Sequence, residues 1–188
     1  MTIEELKKMI AENINYSNEE LDNPVIFLYE KKLKNIIISE TDDNIDMNMP
    51  FYAGKTTIED SIIIERVYEN IWLRDNVTFE NVIVKGVDLS DPQIIDCHFY
   101  NCIFEDVNFS DYGYIKKSRL ENCIFINCSF NKIYLLDNSF HFCSFESCNF
   151  KECNFKDSFF NGSKMQNMTL NKCKNIEFSD GLILEANN

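Results

Sequence analysis

The hydrophobic pattern of the chain repeats every five residues from Phe79 onward. A large apolar residue returns at this interval as far as Leu170, with a slip of one residue after Tyr114. A small side chain stands two positions before most of these centres, and all eight cysteines occupy this small position. The centres are Phe79, Val84, Leu89, Ile94, Phe99, Phe104, Phe109, Tyr114, Leu120, Phe125, Phe130, Leu135, Phe140, Phe145, Phe150, Phe155, Phe160, Met165 and Leu170.

A period of five matches neither an α-helix, which repeats every ~3.6 residues, nor a β-strand, which alternates about every two. It is typical of a chain that turns a corner every five residues and points two of the five inward. The pattern therefore predicts a solenoid whose coils stack about 4.8 Å apart and contact only their neighbours. Small neighbours allow dense packing around the axial rings.

Individual pentads resemble a known repeat family. Cys-Ser-Phe-Asn-Lys (128–132), Cys-Ser-Phe-Glu-Ser (143–147) and Cys-Asn-Phe-Lys-Asp (153–157) are similar to the pentapeptide repeat, which is a small residue, a polar one, Leu or Phe, and two variable residues. The resemblance implies an all-β solenoid, namely a right-handed quadrilateral (four-sided) parallel β-helix with four pentapeptides per turn. In that geometry residues twenty apart stack, such as Phe130 on Phe150 and Cys123 on Cys143. The slip near residues 115–119 predicts a bulge. Five residues depart from the small position: Pro92, Tyr112, Ile133, Asn138 and Met168.

The N-terminal part follows a different pattern. Thr2 and Glu5 form a capping box, and the apolar spacing that follows predicts a helix over residues 3–14. Apolar triplets such as Ile62–Ile64 predict strands of irregular coils. We therefore expect a short N-terminal helical capping segment with an irregular part over 1–60, the β-helix over 61–180 with regular repeats at about 77–172, and a tail over 181–188. The first part is expected to cap the open coil end, and a separate binding domain is the alternative.

The cysteines admit a metal or disulfide interpretation and a simpler one. Cys97 and Cys102 are five residues apart, whereas zinc ligands usually come in closer pairs. All eight cysteines fit the role of small buried hydrophobic residues, so we expect reduced, inert thiols and no metal site. The first residues lack the basic and apolar regions of a signal peptide, which favours a cytoplasmic location.

Charge narrows the classes of partner. The net charge is -13, with 18 basic and 31 acidic side chains, which argues against direct binding of nucleic acid or an anionic membrane surface. No apolar run approaches the ~20 residues of a transmembrane helix. Residues 1–75 hold 16 acidic and 8 basic side chains, a net charge of -8, whereas residues 76–180 hold 14 and 10, a net charge of -4. The acidity is therefore concentrated before the repeats.

Two strips are expected on the outer surface, because residues beside each centre face solvent in the family's geometry. One face carries four isoleucines: Ile83, Ile103, Ile124 and Ile126. Since soluble monomers rarely expose so continuous an apolar strip, either the N-terminal segment covers it or it binds a partner or a second copy. The adjacent face gathers Tyr100, His141, Phe142 and Phe159. Beside them stack Asn81, Asn101 and Asn122, which we expect to hydrogen-bond one another or the backbone.

Nothing in the pattern assembles catalytic chemistry. His98 and His141 should point outward, away from the buried thiols, and the five glycines form no phosphate-binding motif. We therefore expect a non-enzyme without cofactors that acts as a protein-interaction scaffold, with a homodimer as a possible assembly. The alternative rests on the resemblance: some pentapeptide-repeat proteins mimic DNA and bind DNA gyrase or topoisomerase IV, type II topoisomerases, in quinolone resistance. The weak acidity of the repeats argues against that alternative.

Overall fold

Every regular element that the structure describes is a short β-strand. The structure is a computed structural model and describes residues 26–35, 37–38, 51–64, 67–69, 71–177 and 183–185. In this part of the chain, no helix is long and apolar enough to cross a membrane. In chain order the strands are β1 (Ile26–Tyr29), β2 (Lys32–Lys34), β3 (Ile37–Ile38), β4 (Phe51–Gly54), β5 (Thr57–Glu59), β6 (Ile62–Ile64), β7 (Val67–Glu69), β8 (Ile71–Arg74), β9 (Thr78–Glu80), β10 (Ile83–Lys85), β11 (Asp88–Ser90), β12 (Gln93–Ile95), β13 (His98–Tyr100), β14 (Ile103–Glu105), β15 (Asn108–Ser110), β16 (Tyr114–Lys116), β17 (Arg119–Glu121), β18 (Ile124–Ile126), β19 (Ser129–Asn131), β20 (Tyr134–Leu136), β21 (Ser139–His141), β22 (Ser144–Glu146), β23 (Asn149–Lys151), β24 (Lys164–Gln166), β25 (Thr169–Asn171) and β26 (Ile183–Glu185).

The strands stack in parallel into four sheets, one for each face of the coil. Face A contains β1-β4-β8-β12-β16-β20, and face B contains β2-β5-β9-β13-β17-β21. Face C contains β3-β6-β10-β14-β18-β22-β24-β26, and face D contains β7-β11-β15-β19-β23-β25. The predicted four-sided parallel β-helix is therefore confirmed. The predicted helix over residues 3–14 lies outside the described residues.

The corners between strands require a left-handed backbone. The non-glycine corner residues have φ between 45° and 65°, and many of them are asparagine or aspartate. These two residues enter the left-handed region more readily than other non-glycine residues. The fifth position of the repeat is thus constrained by the corner even though its side chain varies.

The small position before each strand serves hydrogen bonding as well as packing. The Cys128 thiol donates to the carbonyl of Phe104, one coil below, at 3.3 Å. The Ser158 hydroxyl donates to Leu135 O at 2.9 Å in the equivalent place. Asn138, which departs from the small residues, makes the same type of bond from Nδ2 to Ile115 O at 2.7 Å. Cysteine, serine and this asparagine are therefore interchangeable as short buried donors.

The axis of the coil is filled by stacked phenylalanine rings. Phe125 lies between Phe104 and Phe145, with ring centroids 4.7 Å apart in both directions. Phe130 stacks on Phe150 at 4.4 Å with an angle of 4° between the ring planes. These separations are close to the distance between neighbouring parallel strands, so backbone pairing and ring stacking have the same period. The predicted stacking of residues twenty apart is confirmed.

The slip in the repeat lies earlier than the sequence predicted. Asp111 and Tyr112 both have positive φ, so the extra residue is at this corner rather than at 115–119. Ile115 is consequently the buried axial residue, and Tyr114 faces outward. Gly113 takes the small position, because a Cβ there would lie 2.2 Å from Pro92 Cδ. The interpretation of Tyr114 as a centre was therefore wrong.

The coil also starts earlier than residue 61. β1 pairs with β4 and β2 with β5, so paired coils extend back to Ile26. The predicted boundary failed because these coils use aliphatic centres such as Ile58 instead of phenylalanine, although Thr56 and Ser61 occupy the small position and are buried. At the other end, β26 pairs with β24, so the predicted tail over 181–188 contains a strand of the coil.

Candidate interaction surfaces

The predicted isoleucine strip lies in face C, but its centre is not open to solvent. Ile103 pairs with Ile83 on one side and Ile124 on the other, each just before an axial residue. Ile83 and Ile103 are only 3% and 1% exposed, whereas Ile124 and Ile126 are half-buried. Two of the four predicted strip residues are therefore covered, so the four isoleucines do not form one open surface.

The second predicted strip is assembled only at its C-terminal end. Phe142 and Phe159 are 67% and 46% exposed, and Phe159 bridges to Ser139 in the neighbouring coil of face B. Tyr100 occupies the same slot as His141 but lies two coils away, with Glu121 between them. We call His141, Phe142 and Phe159 the terminal patch. Tyr100 is not part of it.

Phe142 occupies a backbone conformation that is unusual for its residue type. It is a corner residue with φ of 53°, where Asn122 stands one coil below. A bulky side chain pays a conformational cost in this region that asparagine largely avoids. Gly162 stands one coil above, and a Cβ there would lie 2.7 Å from two carbons of the Phe142 ring. The glycine therefore leaves room for the exposed ring to lie against the coil.

Two of the three asparagines beside face B, Asn81 and Asn101, bond to each other as the sequence predicted. Asn101 Nδ2 donates to Asn81 Oδ1 at 3.2 Å, and Asn81 Nδ2 donates to Asp60 Oδ1 at 2.9 Å. Each of these bonds joins neighbouring coils. This row of side chains therefore stabilises the stack.

Face A carries an aromatic ladder of two pairs, separated by Gln93, that the sequence did not predict. Tyr52 and Trp72 pack edge to face with centroids 5.2 Å apart, and Tyr114 and Tyr134 stack at 5.4 Å. The Arg74 guanidinium lies over the Trp72 ring at 5.0 Å. The sequence signal for this ladder is that its residues recur every 20 or 21 positions, in the slot directly before the axial centres. It was hidden because Tyr114 was assigned to the axis.

Carboxylates do not run unbroken along the described ladders of faces B and C. One ladder in face B contains, in order, Glu59, Glu80, Tyr100, Glu121 and His141. The two rings interrupt its row of carboxylates. Cations neutralise several carboxylates in ion pairs: Lys32 with Glu59 at 3.0 Å, Lys85 with Glu105 at 2.8 Å and Arg119 with Glu121 at 2.9 Å. Faces B and C thus hold mixed charges rather than a continuous acidic stripe.

Burial makes at least two of the thiols poorly suited to nucleophilic chemistry. All of them are free; Cys173 is half-buried and the other seven are buried. Burial raises the pKa of Cys97 to about 12, and burial likewise raises the pKa of Cys153 to about 12. Since the thiolate is the reactive form, thiols with such pKa values remain protonated at neutral pH.

We expect alkylation to distinguish one cysteine from the rest. At pH 7.5 the native protein should take up N-ethylmaleimide rapidly at Cys173 alone, and the other seven thiols should react only after unfolding. Intact mass spectrometry with peptide mapping measures both phases. The Cys173→Ser variant should show no rapid phase. Rapid labelling of Cys128 in the folded protein would contradict the buried assignment.

The described residues offer little to a small ligand. Among them, no group of three or more His, Cys, Asp or Glu side chains could hold a metal ion. The two cavities along the axis have volumes of about 20 and 40 Å³ and are lined by apolar side chains. Typical ligand sites are about 300 Å³ or more. The surfaces, not the interior, are thus the candidate functional regions.

Comparison with known proteins agrees with this architecture. A family model of pentapeptide repeats matches residues 139–174 in eight copies, within the coils whose thiols and rings are described above. The chain is a pentapeptide-repeat protein. No curated protein matches its sequence.

Two solved structures of QnrB1, a plasmid-mediated fluoroquinolone resistance protein, have a similar fold to this pentapeptide-repeat protein. Both are trypsin-treated forms that carry a single substitution. The first has a TM-score of 0.55 at 9% identity, and the match covers 84% of this chain and 91% of that one. The second has a TM-score of 0.50 at 11% identity, and the match covers 82% and 91%. At such identities the likeness concerns the fold alone.

Proposed function

We propose that this pentapeptide-repeat protein is a non-catalytic protein-interaction scaffold that binds a partner protein through the terminal patch. The observation that carries the proposal is Phe142, an exposed aromatic ring on a left-handed corner. Exposure contributes little hydrophobic stabilisation, and the backbone conformation costs free energy. Aromatic side chains are enriched among the residues that dominate protein–protein binding. A binding role therefore explains a residue that the fold alone disfavours.

Two features support a role without catalysis. The buried thiols donate hydrogen bonds to backbone carbonyls, as for Cys128, and so serve the coil. The two histidines belong to coils separated by the β17 coil, since His98 pairs with Arg119 and Glu121 pairs with His141. A stacked rod offers rigid, flat faces, which suit recognition of another protein.

The Phe142→Asn variant separates binding from stability. It places asparagine on this corner, as at Asn122, so the free energy of unfolding should rise by about 1 kcal/mol. Partner binding should fall, because the exposed ring is lost. Chemical denaturation measures the first effect, and quantitative affinity capture with purified full-length bait measures the second.

Tyr112→Asn is the matched control for this variant. Tyr112 is also an exposed aromatic residue with positive φ, but it lies at the corner before face A. The control should gain comparable stability and retain the partner captured by the wild-type protein. If Phe142→Asn retains that partner at wild-type affinity, the terminal patch is not the binding surface.

A DNA-mimic role against a type II topoisomerase is the second candidate. It is favoured by the net charge of -13 and by a fold similar to that of a fluoroquinolone resistance protein. The mixed charges of faces B and C weigh against it. A gyrase supercoiling assay with purified protein at low and moderate salt tests it. Salt-sensitive inhibition at micromolar protein would favour the mimic over the scaffold, and no effect at large excess would exclude it.

A further inference from the structure

The isoleucine ladder of face C has a burial pattern that its slot does not explain. Over residues 51–63 and 71–177, all residues in the slot directly before an axial residue, other than Ile83 and Ile103, are half-buried or exposed. Ile83 and Ile103 are 3% and 1% exposed, yet neither belongs to the apolar cluster around the axis. Stacking between coils leaves the other members of this slot partly open. An additional part of a polypeptide must therefore cover these two side chains.

The covered region has a defined length. Ile62 and Ile124 flank the covered pair and are half-buried. The ladder continues with Ile37 beyond Ile62, and with Ser144 and Lys164 beyond Ile124. From Ile62 to Ile124 it spans three strand spacings, or about 14 Å at 4.8 Å each. The Lys85–Glu105 ion pair, at 2.8 Å, borders the ladder on one side. The surface is thus a short apolar stripe with a charged edge.

We propose that residues 3–14 pack along this stripe as an amphipathic helix. These residues lie outside the described ranges, and their apolar positions are Ile3, Leu6, Met9, Ile10 and Ile14. A helix from the first to the last of them is about 16 Å long, which matches the stripe. Residues 15–25 link it to β1 and can extend to about 36 Å, enough to pass around the coil. Glu4 and Lys7 flank the apolar positions and suit the charged edge.

Photoactivated diazirine labelling of the full-length protein, read by mass spectrometry, tests this contact. In the wild-type protein Ile83 and Ile103 should be poorly labelled. The Leu6→Glu/Ile10→Glu variant should raise their labelling severalfold, because charged side chains disfavour the apolar contact. Phe104 and Phe125 should stay protected, which shows that the coil is intact. Lys8→Glu, with the same change in net charge on the opposite side of the predicted helix, should leave labelling unchanged.

If something other than residues 3–14 covers the stripe, the labelling results differ in the following ways, and any of them would overturn the proposal. Increased labelling in Ile45→Glu/Met47→Glu, but not in the N-terminal variant, would assign the cover to residues 39–50. Protection that disappears on dilution would assign it to a second copy of the chain. If the N-terminal variant fails to fold, a photocrosslinking residue at position 10 of the otherwise unchanged protein decides the matter. It should crosslink within the same molecule to the peptide around Ile103, and crosslinks elsewhere only would contradict the proposal.

Discussion

Replacing Phe145 with alanine is expected to lower the free energy of unfolding by about 3–5 kcal/mol. The ring is 1% exposed and stacks on Phe125 at 4.7 Å. It also packs against Phe140 at 5.7 Å and Phe160 at 5.9 Å. The coil backbone is fixed by hydrogen bonds above and below, so it cannot collapse into the space that the ring leaves. Equilibrium denaturation in urea measures the loss.

Phe142→Ala is the matched control for this prediction. It removes the same side chain three residues earlier, from a corner where the ring is 67% exposed. Its effect on the unfolding free energy should stay below about 1 kcal/mol. Similar losses for the two variants would mean that the axial register is wrong.

The Gly113→Ala substitution should destabilise the protein by about 3 kcal/mol, although it adds only one methyl group. The new Cβ would lie 2.2 Å from Pro92 Cδ and 2.5 Å from Pro92 N. The second of these atoms is backbone, and it belongs to a coil that is paired on both sides. Neither coil can move away without disrupting parallel pairing at β12 and β16. Thermal and urea denaturation should both show the loss.

A second substitution tests the cause of that loss. Pro92→Ser removes the ring carbons nearest to the new methyl group but leaves the backbone nitrogen in place. Combined with Gly113→Ala, it should recover part of the lost stability, so the two changes should be non-additive. Strictly additive losses would show that the contact with Pro92 is not responsible.

The sequence predicts the regular coils well because each large side chain has one available place. A phenylalanine such as Phe130 fills the axis, and a short donor such as Cys128 fits beside it. The prediction fails where other residues satisfy the same geometry. Ile58 and Ser61 are equally buried, but they do not form a conspicuous repeat. The repeat frame was assigned wrongly at Tyr114, because a tyrosine can occupy either the axis or the outer face.

Surface properties were harder to predict, since they depend on residues distant in sequence. The slot of Ile103 follows from the repeat, but its burial depends on what packs against the outside of face C. The outward position of Phe142 was predicted correctly. Its conformational cost became clear only from its φ and from the room left by Gly162. The aromatic ladder of face A required the correct position of the slip at Tyr112.

Because the strands of each face stack in a constant register, the number of turns sets the distance between two points along the rod. Phe125 lies over Phe104 and under Phe145 without any change of face. Duplication or loss of one complete turn in the gene would therefore shift everything beyond it along the rod by about 4.8 Å. The separation between the ladder of face A and the terminal patch can thus change only in fixed increments. Evolution of such a rod can adjust the spacing of two recognition elements while leaving each of them intact.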